Sequence, residues 1–259
     1  MPAPAVRAVL LDLDGVLYVG EQPLPGAVAA VERLRSDGYI LRFVTNTTVR
    51  SRAATLEKLR RIGIAVDDRE LVTPAGLAVR HCRERGHERV ALVMNEEVKR
   101  DFEQLEAVGR RADAVIVGDL GDAFSYEVLN DAFRLLMDGA ELVALQKNRY
   151  WLTEDGLSLD VGAFVAALEY ASGRRAYVVG KPAPAFFEQS LEDAGVPASE
   201  AAMVGDDVET DVGGAMSAGL SGYLVRTGKF REDALNASHV LPTAVLASIT
   251  DLPAALRGG

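Results

Sequence analysis

Along most of the chain, short aliphatic and β-branched runs alternate with stretches whose apolar residues recur every three to four positions. Val6 to Leu11 is apolar apart from Arg7 and ends at Asp12, the pattern of a strand covered on both faces. Pro25-Gly26 opens a helix carrying Val28, Val31 and Leu34 at helical spacing, and Gly38 stops it. Ile40 to Val44 reads as a second strand ending at Thr45-Asn46. Ser51 to Arg61 reads as a second helix, with Leu56 and Leu59 inward and Gly63 at its close. Repeated strand–helix pairing of this kind predicts a parallel sheet with right-handed crossovers.

The pattern returns near the C-terminus. Tyr177 to Val179 is a short strand, Ala185 to Ala194 a helix ended by Gly195, and Ala201 to Val204 a strand running into Gly205-Asp206-Asp207. Glu209 to Ala218 follows as a helix and Gly222 to Val225 as a strand. From about Ala78 to Arg175 a separate series holds strands at Val90–Met94, Ala114–Val117 and Glu141–Leu145, with a hairpin at Trp151 to Leu157. That middle is too long for a surface loop. The expectation is an α/β protein with a doubly wound, Rossmann-like parallel-sheet core from residues 1–76 and 177–259, and an inserted α/β domain over residues 77–176.

A chain of 259 residues is long enough for such a pair of domains. Its 38 acidic residues against 28 Lys and Arg give a formal charge of −10, a field that repels nucleic acid and anionic lipid. Neither nucleic acid nor membrane is expected as a partner. Cys82 is the only cysteine, so no intrachain disulfide can form. No signal-peptide pattern opens the chain, and its longest stretch without Lys, Arg, Asp or Glu, between Asp233 and Asp251, is broken by Asn236, Ser238, His239 and Pro242. The chain reads as a cytoplasmic protein.

Four polar segments sit where buried strands end: Asp12-Leu13-Asp14-Gly15, Thr45-Asn46-Thr47-Thr48, Gly180-Lys181-Pro182, and Gly205-Asp206-Asp207 with Asp211. In an open parallel sheet the carboxyl ends of the strands form the ligand crevice. Asp12 and Asp14 are two apart, so in extended backbone their carboxylates lean to one side. With Asp206 they put three carboxylates in one small volume, where they would raise one another's pKa. A divalent cation removes that conflict, and oxygen ligands with room for water suit Mg2+. Thr45 adds a hydroxyl, Asn46 an amide and Lys181 a fixed positive charge. Such a set suits phosphoryl transfer, where positioning and charge neutralisation supply most of the catalysis. Asp12, directly at the strand end, is the expected nucleophile, forming an aspartyl-phosphate. Asp14 is expected to protonate the leaving oxygen and then to take a proton from water. The expected reaction is Mg2+-dependent hydrolysis of a small phosphorylated metabolite. A phospho-acceptor signalling receiver gathers similar groups but is about half this size and carries no inserted domain. A phosphomutase of the same fold would isomerise its substrate instead.

These residues also carry a resemblance. Asp12-Leu13-Asp14-Gly15-Val16, Thr45, Lys181 and Gly205-Asp206-Asp207 with Asp211 resemble, in order, the four motifs of the haloacid dehalogenase-like superfamily. The insertion between Thr45 and Lys181 looks like the cap of its subclass IIA. Phe124-Ser125-Tyr126, Leu159-Asp160-Val161-Gly162, Val179-Gly180-Lys181-Pro182 and Arg226-Thr227-Gly228-Lys229-Phe230 are similar to one branch of it, that of pyrophosphate, phospholysine and phosphohistidine hydrolases. The resemblance implies that Asp12, Asp206 and the backbone carbonyl of Asp14 hold Mg2+, that Thr45, Asn46 and Lys181 bind the phosphoryl group, and that Asp207 and Asp211 stand in the metal's outer shell. It also points to a homodimer through the cap. Vertebrate members of the branch usually carry Ser where this chain has Asp14. An alkoxide needs a proton to leave and pyrophosphate needs little help, so Asp14 favours a phosphate monoester.

In the inserted domain, Lys147, Asn148 and Trp151 are the candidates for substrate specificity, although aromatics in a strand more often pack a sheet face. His81, Cys82 and His87 lack a fourth zinc ligand and read as positions on a solvated helix surface.

Overall fold

A computed structural model describes residues 6–153, 156–192 and 194–257, with the backbone alone for 151–153. The chain forms two compact units, one of Met1–Thr45, Leu56–Val72 and Lys181–Gly259, the other of Asn46–Thr55 and Thr73–Gly180. Among the described residues no helix is long and apolar enough to cross a membrane.

The first unit is built on a six-stranded sheet in the order Ala244–Leu246, Ser221–Val225, Ala201–Gly205, Ala8–Asp12, Ile40–Val44, Leu71–Val72, parallel throughout. Ala8–Asp12 is buried along its whole length, as its unbroken apolar run requires of a strand with helices on both faces. One face packs Val9, Leu11, Phe43 and Val204 against Val31 and Leu34 of the helix Ala27–Ser36. On a second, smaller cluster Leu224 meets Val208 and Val212. From Ala8–Asp12 the chain moves first to one neighbouring strand and later to the other. The sheet therefore changes direction at this strand, which is where a doubly wound fold opens its ligand crevice.

The second unit has its own parallel sheet, in the order Tyr177–Val178, Glu141–Ala144, Ala114–Val117, Arg89–Val93, Glu106–Ala107. Val93, Val115, Val117 and Leu142 pack there with Leu135, Leu136, Val165 and Leu168 from the helices Tyr126–Met137 and Val161–Ser172. Phe124, just before the first of these helices, stacks on Phe164 of the second at 3.7 Å. The expected hairpin is present as Tyr150–Thr153 paired with Gly156–Leu159. Its turn, Glu154-Asp155, and the side chain of Trp151 lie outside the described residues.

Several sequence expectations shift. Tyr177–Val178 pairs with Val143–Ala144 and so belongs to the second sheet, not to a core segment beginning at 177. Asn46–Thr55 also joins the second unit, because Asn95 donates to the Thr48 carbonyl while Glu97 and Asp101 accept from the Ser51 and Arg52 N–H groups. The expected helix Ala185–Ala194 is observed as Pro184–Glu192, Asp193 lying outside the described residues. Glu209–Ala218 is not one α-helix but a π-helical turn, Val208–Gly213, followed by a short α-helix, Gly214–Ser217. Asp207 caps the turn by accepting from the Glu209 and Thr210 N–H groups. His81 and Cys82 are buried, not solvated. His81 stacks on Tyr177 at 3.9 Å, and with His87 it hydrogen-bonds the Glu141 carboxylate, at 3.2 and 2.6 Å. Burial pushes the Cys82 thiol up to about 11.

Gly214 sits where the short helix meets the loop after Lys181; a Cβ there would lie 2.8 Å from Pro182 Cβ and 2.9 Å from Phe187 Cε2. Gly214→Ala should therefore destabilise the first unit by roughly 1–3 kcal/mol in urea unfolding, an overpacking cost that a freely adjusting site would not show.

Candidate active site

The strand register places the acids. Asp12 ends its strand opposite Val44, and Leu11 lies opposite Val204. Thr45 and Asp206 accordingly emerge just beyond the ends of the two strands that flank Asp12. Asp12, Thr45, Lys181, Asp206 and Asp211 are all buried. One carboxylate oxygen from each of Asp12, Asp206 and Asp211 falls within 4.8 Å of the others. Lys181 Nζ donates to Asp12 Oδ1 at 2.6 Å and to Asp211 Oδ1 at 2.7 Å, across 169 and 30 residues of sequence.

Other groups hold the acids in place. Asp206 Oδ2 accepts from the Lys229 backbone N–H at 2.6 Å. Gly15 and Gly228 come so close to Asp206 that a Cβ on either would enter its carboxylate. Both have φ values in the left-handed region, +80° and +62°, so the two loops need glycine for shape and for space. The Thr227 hydroxyl donates to the Gly15 carbonyl and ties the loops together. Asp211 Oδ2 accepts from the Asp207 N–H at 3.2 Å, so both of its oxygens are engaged.

Burial in a place short of positive charge sets the electrostatics. Burial first, then the neighbouring Asp211 and Asp206, push Asp12 up to about 8 although Lys181 pulls the other way. Burial and Asp211 push Asp206 up to about 6. Burial pulls Lys181 down, and Asp12 and Asp211 more than reverse that, holding it above the ordinary lysine value. Ionising all three carboxyls beside one ammonium would leave two negative charges uncompensated, which is the conflict that the raised values of Asp12 and Asp206 reflect. The donor set is all oxygen, without nitrogen or sulfur, and so fits a hard divalent cation such as Mg2+.

The other expected site residues are distributed as follows. Asp14 is exposed and its backbone bridges to Tyr18. Asn46 belongs to the second unit, where it is half-buried with Oδ1 against Gly180. Asp207 spends its carboxylate on the backbone N–H groups of the π-helical turn. Asp211, expected in the outer shell, lies inside the carboxylate group and grips Lys181. Lys147 is ion-paired with Glu169 at 2.6 Å, and Asn148 donates its N–H to Gln146. Thr227 and the Lys229 N–H were not anticipated as site groups. A backbone donor leaves no side-chain signal, and the only cue was the run of Thr, Gly and Lys after a strand.

Residues 9–108 match the model of the haloacid dehalogenase-like hydrolase family, and residues 178–252 a second model described as HAD-hydrolase-like. The chain belongs to the haloacid dehalogenase-like hydrolases. It is 44% identical over 227 residues to Homo sapiens haloacid dehalogenase-like hydrolase domain-containing protein 2, covering 88% of this chain and 86% of that protein. It is 42% identical over 232 residues to Homo sapiens phospholysine phosphohistidine inorganic pyrophosphate phosphatase, covering 87% and 85%. Among solved structures it resembles the p-nitrophenyl phosphatase from Archaeoglobus fulgidus, with a TM-score of 0.91 at 28% identity over 97% of this chain and 100% of that one.

Carboxyls whose folded pKa is raised favour the folded state fully below the unfolded carboxylate range, and lose that contribution as pH rises through the folded values, here about 6 and about 8. In chelator the melting temperature should fall as pH rises from about 5 to about 9, and Asp12→Asn should flatten the fall. Saturating Mg2+ should raise the melting temperature most at the alkaline end, by roughly 5 °C. An equal Mg2+ shift at both ends of the range counts against this cluster as the cation site.

Proposed function

We propose that this haloacid dehalogenase-like hydrolase, a phosphatase, hydrolyses a small phosphate monoester with Mg2+ through an aspartyl-phosphate on Asp12. The observation that carries the reading is Asp12 itself: a buried carboxylate at the end of the central strand, paired with Lys181 and grouped with Asp206 and Asp211.

Asp12 and Asp206, with the Asp14 backbone carbonyl, would hold the cation; Asp211, with both oxygens engaged, is suited to holding Lys181 instead. When bound, Mg2+ supplies charge neutralisation at the transferring phosphoryl group. Lys181 keeps the Asp12 carboxylate aimed and offers a fixed positive charge to the phosphoryl oxygens. Thr45, buried just beyond the end of the neighbouring strand, would donate its hydroxyl to the same oxygens. An Asp12 oxygen attacks phosphorus while the bond to the leaving oxygen breaks, and Asp14 gives that oxygen its proton. Asp14 then takes a proton from water as the water oxygen attacks phosphorus. The bond to Asp12 breaks, inorganic phosphate leaves, and the Asp12 carboxylate is restored. The exposure of Asp14 supports this exchange with water.

The second unit serves in this reading as the substrate-selecting cap. The pairing of Lys147 with Glu169 favours a scaffold role for that side chain, whereas Asn148 bonds Gln146 through its backbone N–H, which assigns its side chain no role. Exposed Tyr150, Leu157 and Leu159 on the hairpin support a homodimer through this unit, to be tested by sedimentation velocity. A second substrate reading, pyrophosphate or phosphoramidate, is supported by the likeness to the phospholysine phosphohistidine inorganic pyrophosphate phosphatase.

Asp12→Asn should lower Mg2+-dependent release of phosphate from p-nitrophenyl phosphate by roughly a thousandfold or more while the protein still melts cooperatively. Asp14→Ser should cost alkyl phosphates roughly a hundredfold, and aryl phosphates or pyrophosphate far less, because only the alkoxide depends on the proton. A panel of phosphorylated metabolites, pyrophosphate and phospholysine with and without Mg2+ separates the two substrate readings.

A further inference from the structure

The helix Arg52–Arg61 carries a buried lysine that the reaction above does not use. Lys58 is 5% exposed, and its ammonium lies 3.7 Å from the centroid of the Tyr18 ring, itself 3% exposed. An ammonium withdrawn from water needs compensation. The aromatic face contributes to it, as does Glu21 Oε1 at 3.7 Å. Arg61, one helical turn on, reaches the same Glu21 carboxylate at 2.7 Å. Tyr18 and Glu21 both lie in the small hairpin that pairs Tyr18–Val19 with Gln22–Pro23. The helix thus holds that hairpin at its first ring and at its turn.

The hairpin continues directly from the segment that bears the acids. Asp14 bridges to Tyr18. The Gly15 N–H donates to the Tyr18 carbonyl at 2.8 Å, and the Tyr18 N–H donates to the Leu13 carbonyl at 3.3 Å. Tyr18 therefore closes the turn that presents Asp14. Because the Asp14 side chain is exposed, its aim is set chiefly by the backbone of that turn.

We propose that Lys58 is a positioning residue for the general acid. It clamps the Tyr18 ring, Tyr18 fixes the turn through its backbone, and the turn holds Asp14 where it can protonate the leaving oxygen. The inference rests on the phosphatase reading and adds to it a residue that touches neither substrate nor cation.

Lys58→Met keeps the aliphatic stem and removes the charge. With Mg2+ present, kcat on an alkyl ester such as glycerol 2-phosphate should fall roughly 10- to 100-fold, kcat on p-nitrophenyl phosphate less than about threefold, and KM for both should hold. Tyr18→Leu should reproduce the same split, whereas Lys58→Arg and Tyr18→Phe, which keep a cation over an aromatic face, should retain both activities. Combining Lys58→Met with Tyr18→Leu should cost no more than either change alone. Should the methionine variant not fold, Tyr18→Leu against Tyr18→Phe gives the same comparison. Equal losses on the two esters, or additive losses in the double variant, overturn the role of Lys58 while leaving the phosphatase reading intact. A wild-type protein that releases phosphate from neither ester overturns that reading, and this inference with it.

Discussion

Buried ion pairing around Lys181 is the constraint on which the first unit depends. Taking an ionised carboxylate out of water costs several kcal/mol even after the protein relaxes, and this fold buries three carboxyl groups in one place. The single ammonium answers two directly, Asp12 and Asp211, and the third, Asp206, is held by a backbone N–H. The arrangement stays under-compensated, as the raised values of Asp12 and Asp206 show. Its persistence is the work of the sheet. The parallel ladders on both sides of Ala8–Asp12 fix the strand ends side by side and bring the acids together despite their repulsion.

The local irregularities of this unit serve that crowding. Gly15 and Gly228 give up side chains so that two loops can pass against the Asp206 carboxylate, and Thr227 ties those loops with its hydroxyl. The π-helical turn at Val208–Gly213 brings Asp211 back toward Lys181, with Asp207 spent on capping it. π-helical turns are uncommon and often mark functional positions; here the turn sits on the chain that carries the lysine's second partner. The second unit is organised differently. One polar group in it is the pair of imidazoles on Glu141, a carboxylate that burial raises and those hydrogen bonds bring below its ordinary value.

Much of this was legible in the sequence. Alternating runs fixed the parallel sheets, and the rule that ligands gather at strand ends singled out Asp12, Thr45 and Asp206 before any geometry. Lys181 entered with them because a lone cation among acids has electrostatic meaning wherever it lands. The unit boundaries were harder. Tyr177–Val178 is too short to reveal which sheet it extends, and the capping of Ser51 and Arg52 by Glu97 and Asp101 is a contact between distant stretches that no local pattern records.

The sequence by itself determined the fold class, the register of acids against strand ends and the chemical kind of site, because hydrophobic period and strand termination are properties of each segment alone. Only the tertiary structure decided that Asp211 grips Lys181 while Asp207 caps a turn, that His81 and Cys82 are buried, and that Lys58 lies over Tyr18. The reason is physical. Periodicity says which way a residue points within its own element, whereas a partner's identity depends on which other element the fold brings to that face.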